Sequence, residues 1–123
     1  MKVVLHEVIL FVDDMQKCVE FYRDVLDLKV VFPADKDSFA EEVWVTFDTG
    51  PVVLALHGGS DGDFGDDAPE LTFAVDSITE AAEFLKGKGV EVGEPHEVTP
   101  GLFVCDFEDP AGNSLNIEGP LEA

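Results

Sequence analysis

The 123-residue chain is poor in positive charge: seven lysines and arginines stand against 27 aspartates and glutamates, and Arg23 is its single arginine. Nucleic-acid binders neutralise phosphates with Lys and Arg. At a formal net charge of −20, neither nucleic acid nor an anionic membrane is an expected partner. Cysteine is scarce as well. Cys18 and Cys105 are the only two, which excludes a disulfide scaffold. With no CxxC pair and no Cys/His cluster of zinc spacing, structural zinc is not expected either. No run of about 18 apolar residues occurs, so no membrane-spanning helix is expected. Residues 1–5 begin like a signal peptide, but His6 and Glu7 interrupt the apolar run, Asp13 and Asp14 close it, and no small-residue cleavage site follows. The expectation is a soluble, cytoplasmic protein.

Apolar residues make up 46% of the chain and aromatics 10%, too much for a disordered acidic tail and enough for the core of one domain. Two readings of the acidity stay open. It is general solvation suited to a salt-rich cell, where self-repulsion is screened, or it focuses a negative field on a cleft that takes a cationic ligand.

Along the chain, residues 3–12 read as a strand that ends at the helix-capping pair Asp13 and Asp14. Met15, Cys18, Val19, Tyr22, Val25 and Leu26 then recur at the spacing of a helix with one buried face. A short apolar run at 28–33 stops at Pro33, residues 34–41 are polar loop, and 43–48 and 52–57 form a hairpin around Thr49, Gly50 and Pro51. Residues 58–69 are an acidic, glycine-rich linker. Its acids suggest a calcium loop, but Gly65 stands where the third ligand belongs and Thr72 where the closing Glu belongs.

The pattern then restarts. Residues 71–75 are a strand, Asp76 and Ser77 a cap, and Ile78, Ala81, Ala82 and Leu85 a helical stripe stopped by Gly87 and Gly89. Short strands are predicted at 90–92, 102–107 and 114–118, with a turn at 109–113. A shift of 63 residues lays Val12 and Asp13 on Val75 and Asp76, Glu20 and Phe21 on Glu83 and Phe84, and Glu7 on Glu70. A shift of 61 lays Leu54, Ala55, Leu56 and His57 on Leu115, Asn116, Ile117 and Glu118. The repeat predicts an α+β fold: module one at 1–57, the linker at 58–69 and module two at 70–123, each βαβββ. Their curved sheets are expected to join around a shared groove, with the helices outside.

Val12-Asp13-Asp14, the helix segment 20–26 (EFYRDVL) and Asp109-Pro110-Ala111-Gly112-Asn113, in this order within a duplicated βαβββ pattern, resemble the vicinal oxygen chelate superfamily. That superfamily includes glyoxalase I, bleomycin-resistance proteins, fosfomycin-resistance enzymes and extradiol dioxygenases. The resemblance implies a divalent metal on the groove floor, held by His, Glu or Gln near the start and the last strand of each half, and it implies a homodimer. Here the four matching positions are Glu7, Glu70, Ala55 and Asn116. The chain departs from the family at all four: Glu replaces the usual His at both openings, Ala55 carries no donor, and Asn116 replaces Glu.

Period-two alternation puts Leu5, Glu7, Ile9 and Phe11 on one strand face, and His6 with Val8 and Leu10 on the other. The groove lining expected from the repeat is Glu7, Glu70, Ala55, His57, Asn116 and Glu118, with Trp44, Phe103 and Phe107 as aromatic walls. Glu7 and Glu70 are the candidate acid/base pair or metal ligands. A carboxylate buried in an apolar strand needs a bond, a partner or a cation, whereas one at an exposed strand start is simply solvated. A metal held by Glu7, Glu70 and Asn116 would be an all-oxygen site, which suits Mn²⁺ or Mg²⁺ better than Zn²⁺. His57 and Glu118 also read as exposed strand-end residues. Phe21, Tyr22 and Phe84 read as core, Cys18 as a small hydrophobe on the buried stripe, and Cys105 as a strand residue that can face the groove. Two functions follow. One is a small-molecule-binding protein that has lost the metal-ligand set and takes a cationic or planar ligand. The alternative is a metal-dependent glyoxalase-like lyase or isomerase, or a dioxygenase, with an oxygen-rich site.

Overall fold

The structure is a computed structural model, and it describes residues 1–2, 6–59 and 69–123. The calcium-loop reading of the linker falls mainly on residues outside these. The chain divides into two compact units, Met1–Phe64 and Gly65–Ala123.

In the first unit β1 (Glu7–Phe11) leads into α1 (Met15–Glu20), followed by β2 (Lys29–Phe32), β3 (Trp44–Asp48) and β4 (Val53–His57). The sheet order is β1-β4-β3-β2, with β1 parallel to β4 and the other pairs antiparallel. The parallel pair requires a crossover, which the helix and β2–β3 supply. Asp14 caps α1 by accepting from the Lys17 backbone N–H at 3.1 Å. The apolar stripe does not continue as regular α-helix. Phe21–Val25 forms a π-helical turn, closed by Leu26 N–H to Phe21 C=O at 3.2 Å. This wider turn lets the adjacent Phe21 and Tyr22 both enter the core, their rings edge to face at 5.2 Å. Tyr22 then meets Phe47 of β3 at 5.8 Å, which fixes the side of the sheet the helix covers. The loop after β2 is pinned by Gln16, whose Oε1 accepts from Phe39 N–H at 2.6 Å, and Phe39 is buried.

The second unit repeats this order with β5 (Leu71–Ala74), α2 (Ile78–Gly87), β6 (His96–Thr99), β7 (Leu102–Glu108) and β8 (Ser114–Gly119), in sheet order β5-β8-β7-β6 with β5 parallel to β8. Ser77 caps α2 as Asp14 caps α1, accepting from Glu80 N–H at 3.2 Å. The Asp-Pro-Ala-Gly-Asn turn is built on the buried Asp109. Its Oδ1 accepts from Ala111 N–H and Asn113 N–H, its Oδ2 from the Asn113 amide, and Gly112 takes the positive φ of 87° that the turn requires. Among the described residues no helix is long and apolar enough to cross a membrane.

Two expectations are corrected. The strand predicted at 90–92 is absent. The Val90 N–H closes the end of α2 on the Leu85 carbonyl, Gly93 N–H makes a single bond to Asp106 O of β7 at 2.8 Å, and Pro95 has no N–H, so the regular ladder with β7 starts at His96. Phe84 is not core: it is 53% exposed on the outer side of α2, with the Lys88 ammonium over its ring.

Candidate functional site

Strand register sets out the sheet face away from the helix row by row. In the first unit the rows are Glu7–Val53–Asp48, Ile9–Ala55–Thr46 and Phe11–His57–Trp44. In the second they are Thr72–Asn116–Asp106 and Ala74–Glu118–Val104, with Glu108 opposite Ser114 at one end and Glu70 just ahead of β5. The two grids correspond, with carboxylates at the same end of each. They differ at the other end, where the first unit carries three rings.

That aromatic row is a contacting unit. The His57 ring lies 5.2 Å from Phe11, tilted by 48°, and 6.0 Å from Trp44, edge to face. Phe11 is 49% exposed, His57 is exposed and Trp44 half-buried. The His57 Nδ1 sits 2.8 Å from the Gly58 carbonyl oxygen. Ala55, in the middle row, is fully buried and offers no donor. Glu7 is half-buried at the start of β1.

In the second unit Glu70 is exposed and accepts a hydrogen bond from the Asn116 Nδ2 at 2.7 Å. Asn116 is buried, and its Oδ1 has no hydrogen-bond partner. Beside this pair lies a pocket of 410 Å³ lined by Glu70, Asp106, Phe107, Glu108, Ser114 and Leu115. Three of its side chains are carboxylates and none is basic. Glu118 is half-buried on the same face. Among the described residues no group of three or more His, Cys, Asp or Glu side chains is placed to hold a metal ion.

Phe103 and Phe107 alternate with Val104 and Asp106 and so point with Cys105 toward the α2 side of the sheet, where Lys86 of α2 acts on Cys105. As aromatic walls of the open face they are displaced: Phe107 is buried core, though it also helps to close the pocket. Cys105 likewise faces the helix. Burial pushes its thiol up, with Asp106 and Glu94 adding to the shift and Lys86 opposing it, so it is a poor nucleophile. Three residues missed as site candidates are Phe11, Asp106 and Glu108. Alternation already grouped Phe11 with Glu7, and it sets Asp106 and Glu108 opposite Phe107.

Solved structures of similar fold include lactoylglutathione lyase from Agrobacterium tumefaciens (23% identity, TM-score 0.74, 96% of this chain and 94% of that one). Also similar are TnmS3, an antibiotic binding protein from Streptomyces sp. CB03234 (20%, 0.75, 97% and 97%), and the fosfomycin resistance protein FosX from Listeria monocytogenes (17%, 0.76, 96% and 93%). No curated protein matches the sequence. The family model described as Glyoxalase/Bleomycin resistance protein/Dioxygenase superfamily matches residues 4–117. With that model spanning nearly the whole chain, and with two four-stranded sheets arising from one repeated module, the chain belongs to the glyoxalase/bleomycin resistance protein/dioxygenase superfamily.

Proposed function

We propose that the chain is a small-molecule-binding protein whose ligand is planar and cationic, and that it does not work through a divalent metal. The observation that carries this reading is the Phe11–His57–Trp44 row beside Ala55, with Phe11 and His57 exposed and Trp44 half-buried. Three rings, tilted and edge to face, offer an aromatic and cation–π surface next to a position where a metal site of the family needs a donor. The ligand's charge is supported by the net charge of −20. An antibiotic-binding protein of the same fold supports the binding role. Exposed Val31, Phe32 and Val43 around β2 and β3 give apolar surface for the cytoplasmic homodimer that the family resemblance implies.

A second reading, a metal-dependent lyase, isomerase or dioxygenase, has one observation in its favour: the unpartnered Asn116 Oδ1 beside Glu70. The residues fit it poorly, because among the described residues no three His, Cys, Asp or Glu side chains converge on one point, and Ala55 brings no donor. Two titrations separate the readings. Trp44 is the sole tryptophan, so its emission reports ligand directly. Acridinium-type cations are expected to quench it saturably, and Trp44→Leu is expected to weaken their calorimetric affinity at least tenfold. Mn²⁺, Ni²⁺ and Zn²⁺ are expected to give no stoichiometric heat. Tight metal binding that is lost in Glu7→Gln/Glu70→Gln would overturn the proposal in favour of the second reading.

A further inference from the structure

The imidazole of His57 is not only a third ring in the row. A carbonyl oxygen can only accept, so the 2.8 Å contact with Gly58 O places the proton of neutral His57 on Nδ1. The other nitrogen, Nε2, then carries a free lone pair. Nε2 is the distal ring nitrogen, farther from the backbone than Nδ1, on an exposed side chain. No described residue donates to it. Phe11 and Trp44 flank the ring and, with the Gly58 bond, hold its orientation. The row is therefore an aromatic surface with one fixed hydrogen-bond acceptor in its middle strand. At the repeat-related position the second unit has Glu118, also an acceptor.

We infer that His57 sets the ligand class of the proposed site: a planar cation that carries an N–H group and donates it to His57 Nε2. This rests on the binding function proposed above. Charge selects a cation, the rings select a flat one, and the Nε2 lone pair selects among flat cations those with a donor. A quaternised ring of the same size keeps the first two interactions and loses the third. A hydrogen bond from a charged donor contributes enough to discriminate by roughly tenfold or more in affinity.

The test uses two acridinium cations of nearly equal size and charge. Aminacrine carries N–H on its ring nitrogen and amino group, and N-methylacridinium carries none. Both are titrated calorimetrically and by Trp44 emission against the full chain. Aminacrine is expected to bind roughly tenfold tighter. His57→Phe keeps a ring and removes the acceptor; it is expected to bring aminacrine down to the level of N-methylacridinium and leave the latter within about twofold. His57→Gln removes the ring but restores an acceptor, so both affinities are expected to fall while part of the preference for aminacrine persists. Equal binding of the two cations by the parent chain, or equal weakening of both by His57→Phe, overturns the role of His57 and leaves the binding function standing. Failure of both cations to bind overturns the binding function, and the role of His57 with it.

Discussion

Gly58 and Gly119 occupy equivalent places, 61 residues apart, at the ends of β4 and β8. Neither has a positive φ, so the demand at both is for space rather than backbone freedom. A methyl group at Gly119 would run into the Val75 carbonyl oxygen, with the Val75 carbonyl carbon 3.2 Å away. That backbone is tied by the bond from Val75 N–H to Glu118 C=O at 2.9 Å, so it cannot retreat without breaking the parallel β5–β8 contact. At Gly58 the nearest atom is the end of a flexible side chain, Met15 Cε at 3.3 Å. Gly119→Ala is therefore expected to cost about 3 kcal/mol, the upper end of overpacking losses, and Gly58→Ala about 1 kcal/mol or less. Urea unfolding of the two variants measures the difference, and equal losses would show that the Val75 carbonyl moves freely.

The helices are secured by different means, and α2 shows how far a terminus can be satisfied. Ile78 N–H bonds Pro120 O at 2.9 Å, Thr79 N–H bonds Leu121 O at 3.0 Å, and Glu80 N–H bonds the Ser77 hydroxyl. The chain after β8 thus folds back to cap the helix that follows β5. Removing residues 121–123 is expected to cost about 1 kcal/mol and to speed amide exchange at Thr79, with the exchange of β7 and β8 little changed. Ser77→Ala is expected to cost a similar amount and to act at Glu80. The capping residues, the stripe of α2 and the hairpin turns were legible because each depends on neighbours in sequence. So was the grouping of Glu7, Ile9 and Phe11 on one face, since period two assigns faces without tertiary information. Which face the helix covers is a tertiary fact. For that reason alternation alone could not sort Trp44, on the open side, from Phe103 and Phe107, on the α2 side. The π-helical turn at Phe21–Val25 was hidden because Met15, Cys18, Val19 and Tyr22 satisfy the ordinary helical spacing. β6 was misplaced because the apolar Val90 and Val92 outweighed the exposed, polar His96 and Glu97 as a strand signal. The Glu70–Asn116 pairing follows the repeat, but the hydrogen bond between them depends on rotamers that no repeat specifies.

At the scale of the whole molecule the dominant quantity is unbalanced charge. With 27 acidic and seven basic side chains, most carboxylates have no cation to meet. The ion pairs Arg23–Asp24 at 2.7 Å and Lys36–Glu42 at 2.9 Å are partly exposed, and pairs of that kind contribute little. Stability must then carry a self-repulsion that added salt relieves, since the screening length falls from about 10 Å at 0.1 M to about 3 Å at 1 M. The thermal midpoint is expected to rise by about 5 °C between those two concentrations of KCl, equivalent to roughly 1 kcal/mol for a chain of this size. The gain should shrink at about pH 4, where roughly half of ordinary carboxylates are protonated and the repulsion is reduced. The same titration series separates the two uses of the acidity. A field that serves a cationic ligand weakens aminacrine binding over this salt range while leaving the fold intact at 0.1 M. Acidity tuned to a salt-rich cell leaves the chain partly unfolded at 0.1 M and restores both fold and binding as KCl is added. The carboxylates are spread over both units, but the aromatic row belongs to one. The expected result is a folded protein at 0.1 M, a modest rise in midpoint, and an affinity for aminacrine that falls steadily with salt.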